Sequence, residues 1–236
     1  MSHFTVAVIT KERSREAIEK ILEPYWEELE VEPYVDETKE QLIQRAKNLK
    51  EMYLKRREEG QDLTEEYQLK YINAKTDEEL YQAYIDEDEE YDENGNHLST
   101  YNPDSKWDWY AIGGRWNKML LVNKDIGYCV EDMQDIGLFG CFGSKEEADA
   151  PEGFKWVNSA RIKDIEFKKM EQMTAGPFIT WALVDENMWI EQGKMGWWAL
   201  NDATESSESA FKRHLKAYLE DPDNQNKYLT VVDCHI

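Results

Sequence analysis

Between Tyr101 and Lys118 the chain reads Tyr-Asn-Pro-Asp-Ser-Lys-Trp-Asp-Trp-Tyr-Ala-Ile-Gly-Gly-Arg-Trp-Asn-Lys. This is the stretch whose residue types could do chemistry. Trp107, Trp109, Tyr110 and Trp116 offer aromatic faces, and such faces stack on a nucleobase for about 1–3 kcal/mol per base. Gly113 and Gly114 let backbone amides come close to an anion, since no Cβ intervenes. Arg115 adds a planar fork suited to phosphate or carboxylate. Lys106, Arg115 and Lys118 supply the local positive charge that an anionic ligand needs in a chain of net charge −22. The candidate ligand-binding set is therefore Lys106, Trp107, Trp109, Tyr110, Gly113, Gly114, Arg115 and Trp116. It suits a small nucleotide better than a long polyanion. The same residues also read as plain packing, with Gly-Gly in a tight turn and Arg115 paired to a carboxylate.

Elsewhere the chemistry is read by elimination. The chain has no H-x-x-x-H, no G-x-S-x-G, no phosphate-binding P-loop and no dinucleotide-binding glycine pattern. His235 follows Cys234, but neighbours in a strand point to opposite faces, so the two do not form a dyad. Cys129, Cys141 and Cys234 sit at unrelated spacings and read as reduced thiols. The acidic run from Asp86 to Glu93 resembles a calcium loop only superficially. Counted from Asp92, the glycine position holds His97 and the final glutamate position holds Pro103. No catalytic residue, metal ligand or cofactor is assigned.

Composition bounds the partners. Fifty acidic against twenty-eight basic residues argue against direct binding to nucleic acid or to an anionic membrane. Nine Trp and thirteen Tyr require a packed core. The N-terminal segment lacks the basic and long apolar regions of a secretion signal, and no apolar run approaches a membrane span, so the expected location is the cytoplasm.

The elements that must position the motif follow from periodicity. Phe4 to Ile9 reads as a strand, followed by a helix with Ile18, Ile21, Leu22 and Tyr25 on one face. Leu29 to Val35 reads as a short edge strand. Thr38 with Gln41, and Thr76 with Glu79, fit capping boxes that open helices. Residues 38–93 are therefore expected to be a helical and acidic insertion in a single α+β domain spanning 1–236. A strand is predicted at Lys118–Val122, and the glycine-rich stretch through Gly127, Gly137, Gly140 and Gly143 has no assigned element. Phe178–Val184 and Met188–Ile190 read as a hairpin around Asp185-Glu186-Asn187, which Trp197-Trp198-Ala199-Leu200 could extend. A last helix carries Phe211, Leu215, Tyr218 and Leu219, and Tyr228–Asp233 is a closing strand. The expected fold is α+β, a mostly antiparallel sheet with helices on one face; a ferredoxin-like centre is one arrangement that fits.

Four segments carry a resemblance. These are Met1–Val6, Lys106–Trp116, Met195-Gly196-Trp197-Trp198 and Leu229–Ile236. Together they resemble a family of uncharacterised bacteriophage and prophage proteins. The resemblance implies a phage-borne accessory protein in a host bacterial cytoplasm, and no catalytic residue comes with it. By analogy the expected function is counter-defence, through sequestration of a small nucleotide-derived signal without catalysis. One alternative is an acidic inhibitor that mimics nucleic acid and blocks a host defence protein; another is an unrecognised nucleotide-processing enzyme. Oligomeric state is not legible, although a homo-oligomer with shared pockets would fit.

Overall fold

The structure of the protein, a computed structural model, describes residues 2–61, 63–129, 133–135, 150–174, 176–196, 198 and 200–236. Cys141, Gly137, Gly140, Gly143, Trp197 and Ala199 lie outside the described residues. The chain divides into two compact units, one of Met1–Leu29 with Asn102–Ile236 and one of Glu30–Tyr101.

The first unit is built around strand β1 (His3–Thr10). Its β-branched, apolar sequence is buried almost throughout, as expected of a central strand. The closing strand β10 (Tyr228–His235) pairs with it antiparallel over its full length, from His3 opposite His235 to Thr10 opposite Tyr228. On the other side β8 (Ala182–Asp185) runs parallel to β1 and turns back into β9 (Met188–Glu191). Beyond β10 lie β4 (Trp109–Ile112), pairing at its C-terminal end, and β7 (Ser159–Arg161), pairing at its N-terminal end. The six-stranded sheet is mixed and mostly antiparallel, ordered β4-β10-β1-β8-β9 with β7 beside β4 on β10. This is the expected α+β class.

Strand alternation divides the core into two. Phe4, Val6 and Val8 of β1 pack with Val232 and Cys234 of β10, Ala182 and Val184 of β8, and Ile18 and Leu22 of α1 (Arg15–Leu22). The intervening Ala7, Ile9, Leu229, Val231 and Leu183 face the other way. They meet Phe211, Leu215 and Tyr218 of α6 (Glu205–Glu220), Met170 of α5 (Phe167–Thr174), and the two-stranded sheet of β5 (Leu120–Asn123) and β6 (Phe154–Val157). Helices therefore cover both faces, not the one face expected, because the strands of this sheet are apolar on both sides. That removes the ferredoxin-like centre, whose helices share a face. The hairpin is shorter than predicted, since residues 178–181 lead into β8 without being part of it.

The second unit holds β2 (Tyr34–Glu37) paired with β3 (His97–Ser99), and helices α2 (Lys39–Glu58), α3 (Glu66–Asn73) and α4 (Asp77–Tyr84). Both predicted capping boxes form: Thr38 accepts from the Gln41 amide and Thr76 from that of Glu79, with each partner side chain reaching back. Ala46, Tyr53, Tyr71, Ala74, Leu80 and Ala83 make its core. The unit is wider than the expected 38–93 because its two strands flank the helices. In the acidic run, Asp92 accepts from the amides of Asn94 and Asn96 and from the Asn96 side chain, which closes a tight turn.

Phe211 is 2% exposed and anchors α6 on the sheet. Phe211→Ala is expected to cost about 3–5 kcal/mol of stability in urea denaturation. A loss below about 1 kcal/mol would remove α6 from the set of elements holding the core.

Candidate functional site

The chain bends sharply where β4 ends. Gly113 has φ 79° and Gly114 φ 48°, and a short 3-10 turn, Gly114–Trp116, follows. Both glycines are required sterically. A Cβ on Gly113 would lie 2.6 Å from Nδ2 of Asn158, and one on Gly114 would lie 2.4 Å from Cβ of Asp233. The turn presses on β10, and three amides of the bend have partners within the chain. The Gly113 amide donates to the Val231 carbonyl, the Arg115 amide to Asp233 Oδ2 at 2.9 Å, and the Trp116 amide to the Gly113 carbonyl. The anion held at the Gly-Gly turn is thus a carboxylate of the chain itself.

Asp233 is buried, and its other oxygen faces Nδ1 of His3 at 2.9 Å. One pair further along the same face, Nδ1 of His235 lies 2.7 and 2.8 Å from the two carboxylate oxygens of Asp108. Asp108 is itself fixed, its carboxylate accepting from the Trp109 amide and its own amide donating to the His235 carbonyl. The two imidazoles meet edge to face at 5.0 Å between ring centres. The indole of Trp109 stacks on His235 at 5.0 Å and 16° and stands edge-on to His3 at 5.3 Å. Trp109 is 39% exposed and brings this layer to the surface. The β1–β10 register makes the cluster: His3 and His235 are 232 positions apart in sequence and directly opposite in the sheet.

A carboxylate at each Nδ1 favours the tautomer that carries its proton there, and in the neutral ring that tautomer has its lone pair on Nε2. Nε2 of His235 is buried without a hydrogen-bond partner among the described residues. An unpaired buried polar atom costs roughly 1–3 kcal/mol, so it calls for an explanation. Among the described residues no group of three or more His, Cys, Asp or Glu side chains is arranged to hold a metal ion.

The expected ligand set is split by the sheet. Trp109 and Trp116 face the α6 side, Trp109 in the histidine layer and Trp116 against the core. Trp107 and Tyr110 face the α1 side. Trp107 is buried, donates from its indole N–H to the Leu22 carbonyl at 3.1 Å and stacks on Trp26. With Tyr110 and Trp26 it lines an open groove of about 320 Å³ rimmed by Glu16, Glu19, Glu23 and Lys20. An acidic rim repels phosphate, so these two aromatics do not join Trp109 in holding an anion. Lys106 is neutralised by Glu191 at 2.9 Å. Arg115 remains exposed, with no side-chain partner among the described residues.

The four segments that carry the resemblance meet at this end of the sheet. Ser2 donates through its hydroxyl to the Gly196 carbonyl at 2.8 Å, and its backbone pairs with Ile236. His3 meets Asp233, Asp108 meets His235, and the Gly-Gly turn meets Asp233. Sequence reasoning missed His3, Asp108, Asp233 and His235. The two-residue spacing of Asp233 and His235 on the last strand, with His3 on the first, was the available signal, but without their register it does not identify a cluster. Comparison with protein-family models, with curated proteins and with solved structures gives no match.

Two outcomes test this geometry. Gly114→Ala forces an alanine to φ 48° and against Asp233. The backbone conformation alone costs about 1–2 kcal/mol, so urea denaturation should show at least that loss, and an unchanged midpoint would refute the close approach. Burial, followed by the charges of Glu19 and Asp135, pushes the Tyr110 hydroxyl up to about 12. An unfolded tyrosine ionises near about pH 10, so the stability contributed by Tyr110 is complete below that pH and is lost as pH rises towards 12. Thermal melts from pH 9 to 12 should therefore fall less steeply for Tyr110→Phe than for the wild type.

Proposed function

We propose that the protein binds a small nucleotide-derived anion at the end of the sheet where Trp109 is exposed. The observation that carries this reading is the Trp109 indole, stacked on one side by His235 and 39% exposed. A base stacking on its exposed face gains about 1–3 kcal/mol. Arg115 follows the turn that grips Asp233, and its guanidinium is free to meet a phosphate. In this reading the Gly-Gly turn does not bind the ligand; it brings the Arg115 amide onto Asp233 and so aims Arg115. The phage setting and the role in counter-defence rest on the sequence resemblance and belong to the proposal.

A second reading is the acidic inhibitor that occupies a basic groove on a host defence protein. It draws on the acid-rimmed groove floored by Trp26 and Trp107, which suits a cationic side chain through cation–π contact and ion pairing. Such capture should weaken steeply with added salt.

The test is retention of a panel of linear and cyclic nucleotides on a filter, followed by heat release and mass spectrometry. Trp109→Ala should weaken retention roughly 5- to 150-fold, the range that about 1–3 kcal/mol of stacking gives. Arg115→Ala should also weaken it, while Trp107→Phe should not. Equal retention by wild type, Trp109→Ala and Arg115→Ala would remove this site. No retained nucleotide, with salt-sensitive capture of a basic protein, would favour the second reading.

A further inference from the structure

We propose that His3 and His235 act as a general acid–base pair, so that the site hydrolyses a phosphodiester in the nucleotide it binds. This rests on the binding reading above and adds a reaction to it. Two features of the cluster point beyond packing. Each imidazole is oriented by its own carboxylate through Nδ1, His3 by Asp233 and His235 by Asp108. That arrangement fixes the tautomer and leaves Nε2 as the working atom, as a proton-transferring histidine requires. Nε2 of His235 is also buried and unpaired among the described residues; His214 shares that property, but only His235 stands beside a second imidazole that is itself held by a carboxylate.

The ring centres lie 5.0 Å apart on directly opposed residues of β1 and β10, a separation compatible with both imidazoles acting on one phosphorus centre. Neutral His235 takes a proton at Nε2 from a water as the water oxygen bonds to phosphorus. Protonated His3 gives its Nε2 proton to the leaving oxygen as the opposite P–O bond breaks. One water is consumed, the products are a phosphate monoester and a free hydroxyl, and the proton gained by His235 returns to His3 through solvent. Trp109 covers His235 and must turn aside for Nε2 to reach the ligand; it is the exposed member of the layer. Arg115 offsets charge on the non-bridging oxygens. Asp108 and Asp233 are positioning residues.

The experiment uses the full chain with 2′,3′-cyclic AMP, 3′,5′-cyclic AMP and cyclic di-AMP in ¹⁸O-labelled water, read by mass spectrometry. The expected result is a monoester carrying one ¹⁸O. His3→Asn and His235→Asn should each lose about 100-fold or more in kcat with melting temperatures near that of the wild type. The wild-type profile of kcat/KM against pH should be bell-shaped, and each variant should lack one limb. Asp108→Asn, whose side chain is partly exposed, gives an independent readout if a histidine variant does not fold: kcat should fall with little change in KM. Nucleotide retained intact by the wild type with no product would overturn the acid–base pair and leave the binding site standing. Neither retention nor product would overturn both. Product formed at wild-type rates by both histidine variants would overturn the assignment of the pair.

Discussion

The buried carboxylate of Asp233 is the point on which this end of the molecule depends. It lies on the closing strand, faces the first strand through His3, and is capped by the Arg115 amide from the turn after β4. Three segments distant in sequence are tied by one residue that is 2% exposed. A carboxylate buried so deeply is tolerated only when its oxygens are satisfied, and both are. Gly114 is glycine because the same carboxylate occupies the space a Cβ would need.

From that constraint the rest of the layer follows. With β1 and β10 in register, His235 must stand beside His3, and the β4–β10 pairing then puts Trp109 across from His235. The aromatic face at the surface is thus positioned from beneath by two imidazole–carboxylate pairs. On the opposite face the same strands carry Val232, Cys234 and Ile112 against α1, where burial raises the Cys234 thiol well above its ordinary range. One side of the strand ends in polar chemistry and the other in packing, and strand alternation alone separates them.

The split of the aromatic motif shows how a dense sequence signal divides in space. Trp107, Trp109, Tyr110 and Trp116 are neighbours in the chain, yet the sheet runs between them. Two of them floor an acid-rimmed groove beside α1, one packs into the core, and only Trp109 offers an exposed face next to titratable groups. Spacing in a strand-and-turn segment fixes the alternation of side chains, not which neighbours they acquire from other strands.

Local physics made much of the fold legible. The first and last strands, the helices opened by Thr38 and Thr76, and α6 with its Phe211, Leu215 and Tyr218 stripe follow from side-chain shape, capping groups and periodicity, each a matter of a few adjacent residues. The need for glycine at 113 and 114 was legible as a turn. What only the tertiary structure decided is the register that sets His3 opposite His235, the covering of both sheet faces by helices, and the identity of the anion at the Gly-Gly turn. Those depend on contacts between residues more than a hundred positions apart, such as the 118 between Arg115 and Asp233. Pairing across such separations is selected by burial and hydrogen bonding over the whole sheet, and no window of sequence contains it.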